Sequence, residues 1–175
     1  LMAKVHFFYS TMNAGKSTAL LQSAHNYHET GNETILFIPR EDAEKNSGLI
    51  KSRIGLKASA VVIDSKIKIF EYVKSEAAKK SIDAILIDEA QFLKKHQVLE
   101  MCKVCDQLEI PVMCYGIRTD FRGELFEGSA ALLALADNLI ELKTVCNECS
   151  RKATMVVRLD ENSNVVTEGS KVQIG

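Results

Sequence analysis

The segment at residues 10–17 constrains the fold of this chain more than any other. It has the sequence STMNAGKS, follows the apolar run at 5–9 and precedes a segment with helical periodicity. A turn that ends in Gly-Lys-Ser between a strand and a helix is typical of a phosphate-binding loop. Backbone N–H groups and the positive end of the helix then converge on one anion. The consensus opens with glycine where this chain has Ser10, so a second feature is needed to support the interpretation.

Apolar runs of strand length alternate with helical patterns along most of the chain. Strands are predicted at 5–9, 34–38, 60–64, 84–88, 110–115 and 139–142, and helices at 17–29, around 69–77, at 93–108 and at 129–136. This alternation indicates an α/β fold with a parallel sheet flanked by helices. Because ligands bind beyond the carboxyl ends of such strands, we expect residues 10–17, 88–92 and 116–126 to meet there. The charged stretch at 39–57 is predicted to be an irregular loop.

Two acids close the continuous apolar strand predicted at 84–88. Asp88 and Glu89 follow it directly, which is the arrangement of a Walker-B motif. Asp88 would then serve Mg²⁺, while Glu89 would accept a proton or orient a nucleophile. Such a pair beside a Gly-Lys-Ser loop predicts a nucleotide site, although either motif alone is also common at ordinary strand ends.

Composition restricts the classes of partner. The 175 residues suffice for one domain, or for one domain with a small appendage. A formal net charge of −1 gives no basic field, so no nucleic-acid partner is expected. Neither a membrane-spanning apolar run nor a signal-peptide pattern is present in the sequence, and five cysteines without such a signal suggest a reducing, cytoplasmic location.

The motifs together resemble the type II thymidine kinase family, a P-loop family with a RecA-like fold. The resemblance is carried by five ordered segments: FYSTMNAGKST at 8–18, IDEAQF at 87–92, YGIRTDFRGE at 115–124, LAD at 135–137 and KTVCNEC at 143–149. A serine in place of the first glycine is similar to the enterobacterial branch of that family. The likeness runs from about residue 4 to the end of the chain.

The resemblance implies ATP and Mg²⁺ as cofactors and thymidine as the phosphate acceptor, with deoxyuridine as a further possible acceptor. It implies catalytic roles for Lys16 and for Glu89 as the base, with Ser17 and Asp88 serving Mg²⁺. The residues implied to bind ATP are Ser10, Thr11, Met12, Asn13, Ala14, Gly15, Lys16, Ser17, Asp88, Glu89, Ala90 and Gln91. Those implied to bind the nucleoside are Met12, Phe92, Ile117, Phe121 and a lasso-like loop with Lys171, Val172, Gln173, Ile174 and Gly175. A homotetramer, a role in pyrimidine salvage and feedback by dTTP are also implied.

The last part of the chain is predicted to form a separate module. We expect a P-loop α/β domain at 1–142 and a small β module with zinc-ribbon and lasso character at 143–175, including a hairpin at 154–159 and 165–167. Cys146 and Cys149 lie in a zinc-knuckle pattern, and the other two ligands of a tetrahedral site would lie beyond the end of this chain. Cys102, Cys105 and Cys114 are instead predicted to be core residues.

One position departs from the family pattern, and two other functions remain open at this point. Glu44 stands where the family has arginine, which reverses the charge at that position of the 39–57 stretch. The main alternative is a RecA-type P-loop ATPase in which Glu89 activates water. A nucleotide-binding module without catalysis is the other.

Overall fold

The computed structural model of the chain describes residues 3–11, 15–52 and 55–143, with two short backbone segments at 158–159 and 165–166. The strands in chain order are β1 (Val5–Ser10), β2 (Thr34–Pro39), β3 (Leu49–Lys51), β4 (Lys57–Ser59), β5 (Val61–Ile63), β6 (Ala84–Ile87), β7 (Val112–Ile117), β8 (Asn138–Glu141), β9 (Arg158–Leu159) and β10 (Val165–Val166). The helices are α1 (Lys16–Glu29), α2 (Arg40–Asn46), α3 (Ile69–Lys79), α4 (Lys95–Lys103) and α5 (Glu127–Leu135). A 3₁₀ turn (Ala90–Phe92) and a π-helical turn (Val104–Leu108) flank α4.

Six strands form one sheet in the order β5-β2-β6-β7-β1-β8, and each neighbouring pair in it is parallel. The predicted α/β fold with a parallel sheet is therefore confirmed. The strand β7 lies between β1, which leads into the phosphate-loop sequence, and β6, which leads into the acid pair. All three strands point the same way, so their carboxyl ends lie side by side.

Helices cover both faces of the sheet because its central strands are apolar on both sides. All four residues of β6 are buried. Ile85 and Ile87 pack with apolar residues of α3, α4 and α5, whereas Leu86 packs on the other face with residues of α1 and α2. A strand buried on both faces has a continuous apolar sequence, which is the pattern that predicted it.

The prediction of an irregular loop at 39–57 is wrong. Helix α2 begins directly after β2, and β3 pairs antiparallel with β4 in a hairpin. Ala43 and Ile50 anchor these elements, since both are buried in the core that contains α1. A single apolar residue among charged ones gives no periodicity over so short an element, so the sequence did not indicate this helix or this hairpin.

The three cysteines predicted to be core residues are confirmed as part of the interior. Cys105 and Cys114 are buried and Cys102 is half-buried against the same core, with all three thiols free. Burial raises the pKa of the Cys105 thiol to about 12, so it remains protonated and unreactive at neutral pH. Over the described ranges, no group of three or more His, Cys, Asp or Glu side chains is placed to hold a metal.

The C-terminal module lies mostly outside the described residues. Of the predicted hairpin, the described strands β9 and β10 do pair antiparallel, with Leu159 opposite Val165. Cys146, Cys149 and the segment 171–175 lie outside the described residues, and the domain boundary at 142–143 stays a prediction. None of the helices described here is both long and apolar enough to cross a membrane.

Gly128, in the first turn of α5, packs tightly against the turn after β6. A Cβ at this position would lie 2.4 Å from the carbonyl oxygen of Ala90 and 2.8 Å from that of Leu93. Both are backbone atoms, so relief would require the helix or the turn to move. The identity of this residue thus determines how closely α5 supports residues 90–93.

We predict that Gly128→Ala destabilises the protein by about 1–3 kcal/mol, the usual cost of overpacking a close contact. The midpoint of thermal unfolding should fall by roughly 2–4 °C for each kcal/mol. Ala130→Ser is the matched control, because it adds one atom to the solvent-exposed side of the same helix. Equal unfolding midpoints for the two variants would contradict the packing described here.

Candidate active site

The ends of β1, β6 and β7 form one edge of the sheet at which the predicted site residues meet. Ser10 at the end of β1 lies opposite Ile117 at the end of β7, while Ile87 at the end of β6 lies opposite Cys114. Strand β7 therefore extends three residues past β6. The chain that follows β6, residues 88–92, turns across this step.

The phosphate-loop segment ends in the geometry that its Gly-Lys-Ser sequence predicts. Gly15 has a φ of +82°, a left-handed conformation that glycine adopts readily, and α1 begins at the next residue. Ser10 and Thr11 are buried at the other end of the segment. Met12, Asn13 and Ala14 lie outside the described residues. The described residues thus leave the start of α1 directly after a left-handed glycine, as in a helix start that binds an anion.

Lys16 is held by the acid pair. Its side chain is 1% exposed, and its Nζ lies 3.3 Å from Asp88 Oδ1 and also contacts Glu89 Oε1. Burial alone lowers the pKa of Lys16, but attraction to Asp88 and then to Glu89 outweighs it, so the pKa is raised. Lys16 therefore carries its positive charge, which both carboxylates share.

Ser17 and Asp88 place two oxygen ligands for a divalent cation side by side. Ser17 Oγ donates a hydrogen bond of 2.8 Å to Asp88 Oδ2, so a hydroxyl and a carboxylate oxygen face one another beside the helix start. The other carboxylate oxygen of Asp88 accepts the backbone N–H of Glu89 at 2.9 Å. Hard oxygen ligands of these kinds suit Mg²⁺, so the residues present fit the ion that the sequence implies.

Glu89 occupies an unusual backbone conformation. Its φ of 51° and ψ of 41° are left-handed, which costs a non-glycine residue about 1 kcal/mol or more. The carboxylate is mostly buried, with Lys16 at Oε1 and the side-chain amide of Gln91 at Oε2. Backbone strain of this kind concentrates at functional sites, because the surroundings hold a side chain where an unstrained turn would not.

The residues proposed for the nucleoside remain partly accessible. Phe92, Ile117 and Phe121 are each half-buried, and none belongs to the two core clusters. Phe92 meets the ring of Phe126 edge to face at 5.8 Å, and the guanidinium of Arg122 lies 5.7 Å from the ring of Phe121. Phe121 is thus not among the residues of the described apolar core.

The sequence did not identify the residues that support the site. Buried Asp120 shapes the loop after β7, since its Oδ1 accepts the backbone N–H groups of Arg122 at 2.9 Å and Glu124 at 3.1 Å. Buried Ser129 donates a 2.5 Å hydrogen bond to the carbonyl oxygen of Ile117. An Asp three residues before Gly123 was a signal for the turn, but no sequence pattern signalled Ser129.

Glu44, the departure from the family pattern, lies on the exposed surface of α2. Its carboxylate pairs with the guanidinium of Arg40 at 3.1 Å, one helical turn earlier. Both side chains are largely exposed, so the pair contributes little to stability.

Comparison with known proteins identifies the family. The thymidine kinase family model matches residues 3–173. Thymidine kinase of Salmonella typhimurium is 50% identical over 174 residues, which are 99% of this chain and 84% of that protein. The enzymes of Zymomonas mobilis and Mannheimia succiniciproducens are 51% and 52% identical, over 99% of this chain and 90% and 89% of their own lengths.

These identities are nearly equal across the three bacteria, so they do not single out an enterobacterial branch. Among solved structures, the Pif1 helicase from Candida albicans aligns with a TM-score of 0.49 and 14% identity, over 82% of this chain and 36% of that one. So weak a likeness has no bearing on activity. The family model, in contrast, matches nearly the whole chain, and this chain therefore belongs to the thymidine kinase family.

Proposed function

We propose that this protein transfers the γ-phosphoryl group of ATP to the 5′-hydroxyl of thymidine, giving ADP and dTMP. The observation that carries the proposal is the junction between the start of α1 and the end of β6. There Lys16 and Ser17 face Asp88 at 3.3 Å and 2.8 Å. Membership of the thymidine kinase family supports the choice of acceptor.

The phosphate groups of ATP bind at the loop before α1. Backbone N–H groups at the helix start and the Lys16 ammonium neutralise charge on the phosphates. Ser17 and Asp88 would hold Mg²⁺, which supplies further neutralisation of the β- and γ-phosphate oxygens. Phosphoryl transfer has a loose transition state, so this positioning and neutralisation account for most of the catalysis.

Glu89 acts as the base toward the nucleoside. It accepts the proton of the 5′-hydroxyl while that oxygen bonds to the γ-phosphorus and the bond from phosphorus to the β–γ bridging oxygen breaks. The proton thus leaves on Glu89 and the electron pair on ADP. A positioned base typically contributes about 10²–10⁴-fold.

The thymine ring binds between flat and branched apolar side chains of Phe92, Ile117 and Phe121, together with Met12. Their partial exposure at one edge of the sheet supports this role for the three described residues. The lasso-like segment at 171–175 would read the polar edge of the base through its backbone. Aromatic faces suit a pyrimidine, and a few polar groups suffice to orient it.

A structural zinc ion and assembly into a tetramer belong to the same proposal. Cys146 and Cys149 are candidate ligands of a structural zinc ion. Tetramer assembly, a cytoplasmic role in pyrimidine salvage, feedback by dTTP and use of deoxyuridine follow from the family resemblance.

We predict that ADP release by the purified protein depends on added thymidine. A coupled assay with ATP and Mg²⁺ should show a rate that saturates with thymidine and stays near background without it. Release of ADP at the same rate without a nucleoside would support the RecA-type ATPase, in which Glu89 activates water. No release under either condition would instead favour a nucleotide-binding module without catalysis.

Glu89→Gln should lower kcat by about 100-fold or more while leaving the affinity for ATP nearly unchanged, because the amide cannot accept the proton. Steady-state kinetics with titration of a nucleotide analogue would measure both quantities. Glu100→Gln is the matched control, since Glu100 is half-buried and accepts a hydrogen bond from the backbone N–H of Phe70, and glutamine can do the same. Near-normal turnover of Glu89→Gln would remove Glu89 from the mechanism.

Phe121→Ala should raise the KM for thymidine by roughly 5- to 30-fold, equivalent to about 1–2 kcal/mol of lost aromatic contact. The KM for ATP should change little, because Phe121 is assigned to the nucleoside. Leu99→Ala removes an exposed apolar side chain from α4 and serves as the control. Equal shifts in both KM values would indicate that Phe121 supports the fold and not the nucleoside.

A further inference from the structure

The side chain of Gln91 is fully engaged inside the protein. It is 2% exposed, its Nε2 donates to Glu89 Oε2, and its Oε1 accepts the backbone N–H of Ile117 at 3.3 Å. The orientation of the amide follows from its partners. An N–H can meet only the oxygen, and a carboxylate can meet only the NH₂ group.

The backbone around Gln91 is shaped to receive this amide. A Cβ on Gly116 would lie 2.8 Å from Gln91 Oε1 and 3.0 Å from the Gln91 backbone nitrogen. On the other side, a Cβ on Gly128 would lie 2.9 Å from the Gln91 carbonyl oxygen. Strand β7 therefore packs closely against the side chain of Gln91 at Gly116, and helix α5 packs closely against its backbone at Gly128.

The two contacts to the Glu89 carboxylate differ in kind. Lys16 is a cation that the proposed function also assigns to the phosphates of ATP, so its contact with Glu89 competes with that duty. Gln91 is neutral and is bound at its other end to the main chain of β7. Of these two contacts, only the amide ties Glu89 to a part of the site that phosphate binding does not recruit.

We propose that Gln91 is a positioning residue for phosphoryl transfer. It holds the Glu89 carboxylate in place toward the nucleoside side of the site. It does so by linking Glu89 to the backbone of Ile117, whose side chain is assigned to the thymine pocket. This inference rests on the proposed role of Glu89. It differs from the ATP contact that the family resemblance implies for Gln91, since both polar groups of the side chain face protein atoms.

Two substitutions separate positioning from packing. Gln91→Met keeps the length and bulk of the side chain but loses both hydrogen bonds. Gln91→Glu keeps an acceptor for the Ile117 N–H but places a carboxylate against Glu89. If Gln91 only supports the strand end, Gln91→Met should lose stability while its kcat stays near the parent value. If it positions Glu89, both variants should lower kcat by about 10- to 100-fold, the scale expected from small misplacements of a catalytic group.

The KM values and the unfolding midpoint also distinguish a positioning role from a purely structural one. For positioning, the KM values for ATP and thymidine should stay within about threefold of the parent values. Gln97→Met is the matched control: Gln97 is also buried, and its Oε1 accepts a hydrogen bond from the Lys94 backbone N–H at 2.8 Å. That variant should lose stability with kcat unchanged.

A double-mutant cycle with Glu89→Gln makes the test decisive. If Gln91 acts through Glu89, then adding Gln91→Met to Glu89→Gln should lower kcat by less than about twofold further. Full additivity of the two losses would overturn the proposal, as would a parent-like kcat for Gln91→Glu. A parent-like kcat for Glu89→Gln would refute the base itself, and the positioning role with it. Loss in Glu89→Gln but not in either Gln91 variant would refute only the positioning role.

Discussion

The buried charge cluster of Lys16, Asp88 and Glu89 is the interaction on which the rest of the site depends. An ammonium group that is 1% exposed would be costly without compensation, and two carboxylates supply it. Removing Lys16 would leave two carboxylates without their buried counter-charge, a kind of loss that typically costs about 3–5 kcal/mol. The cluster therefore joins the start of α1 to the end of β6, although the two are 72 residues apart in the chain.

The order of the strands makes this junction possible. Strand β7 lies between β1 and β6, so the start of α1 and the acid turn lie at the same end of the sheet. Two glycines let neighbouring elements approach the turn closely: Gly116 on β7 faces Ala90 and Gln91, and Gly128 on α5 faces the backbone of residues 90–93. The same turn thus faces the phosphate side through Asp88 and the nucleoside side through Phe92. Proximity of this kind is the main requirement for transfer between two bound substrates.

Much of this arrangement could be predicted from the sequence, for identifiable reasons. Continuous apolar strands and the Gly-Lys-Ser and Asp-Glu motifs are local signals, so the sheet and the meeting of Lys16 with Asp88 were predictable. The contacts that hold the site residues in place could not be predicted. Ile117 bonds to Gln91, 26 residues earlier in the chain, and to Ser129, 12 residues later. Both contacts depend on β7 extending further than β6. The hairpin anchored by Ile50 was missed because one apolar residue has no periodicity.

The step between β6 and β7 restricts how the length of the chain can vary at this point. Strand β7 continues for three residues beyond the end of β6, and the turn at 88–92 packs against this extension. Surface loops usually tolerate insertions and deletions, because their ends can rejoin through solvent. This turn has no such freedom. One residue more or fewer in the turn would move Glu89 away from Lys16 and Gln91 away from Gly116. The length of the turn should therefore be as invariant as that of a buried strand.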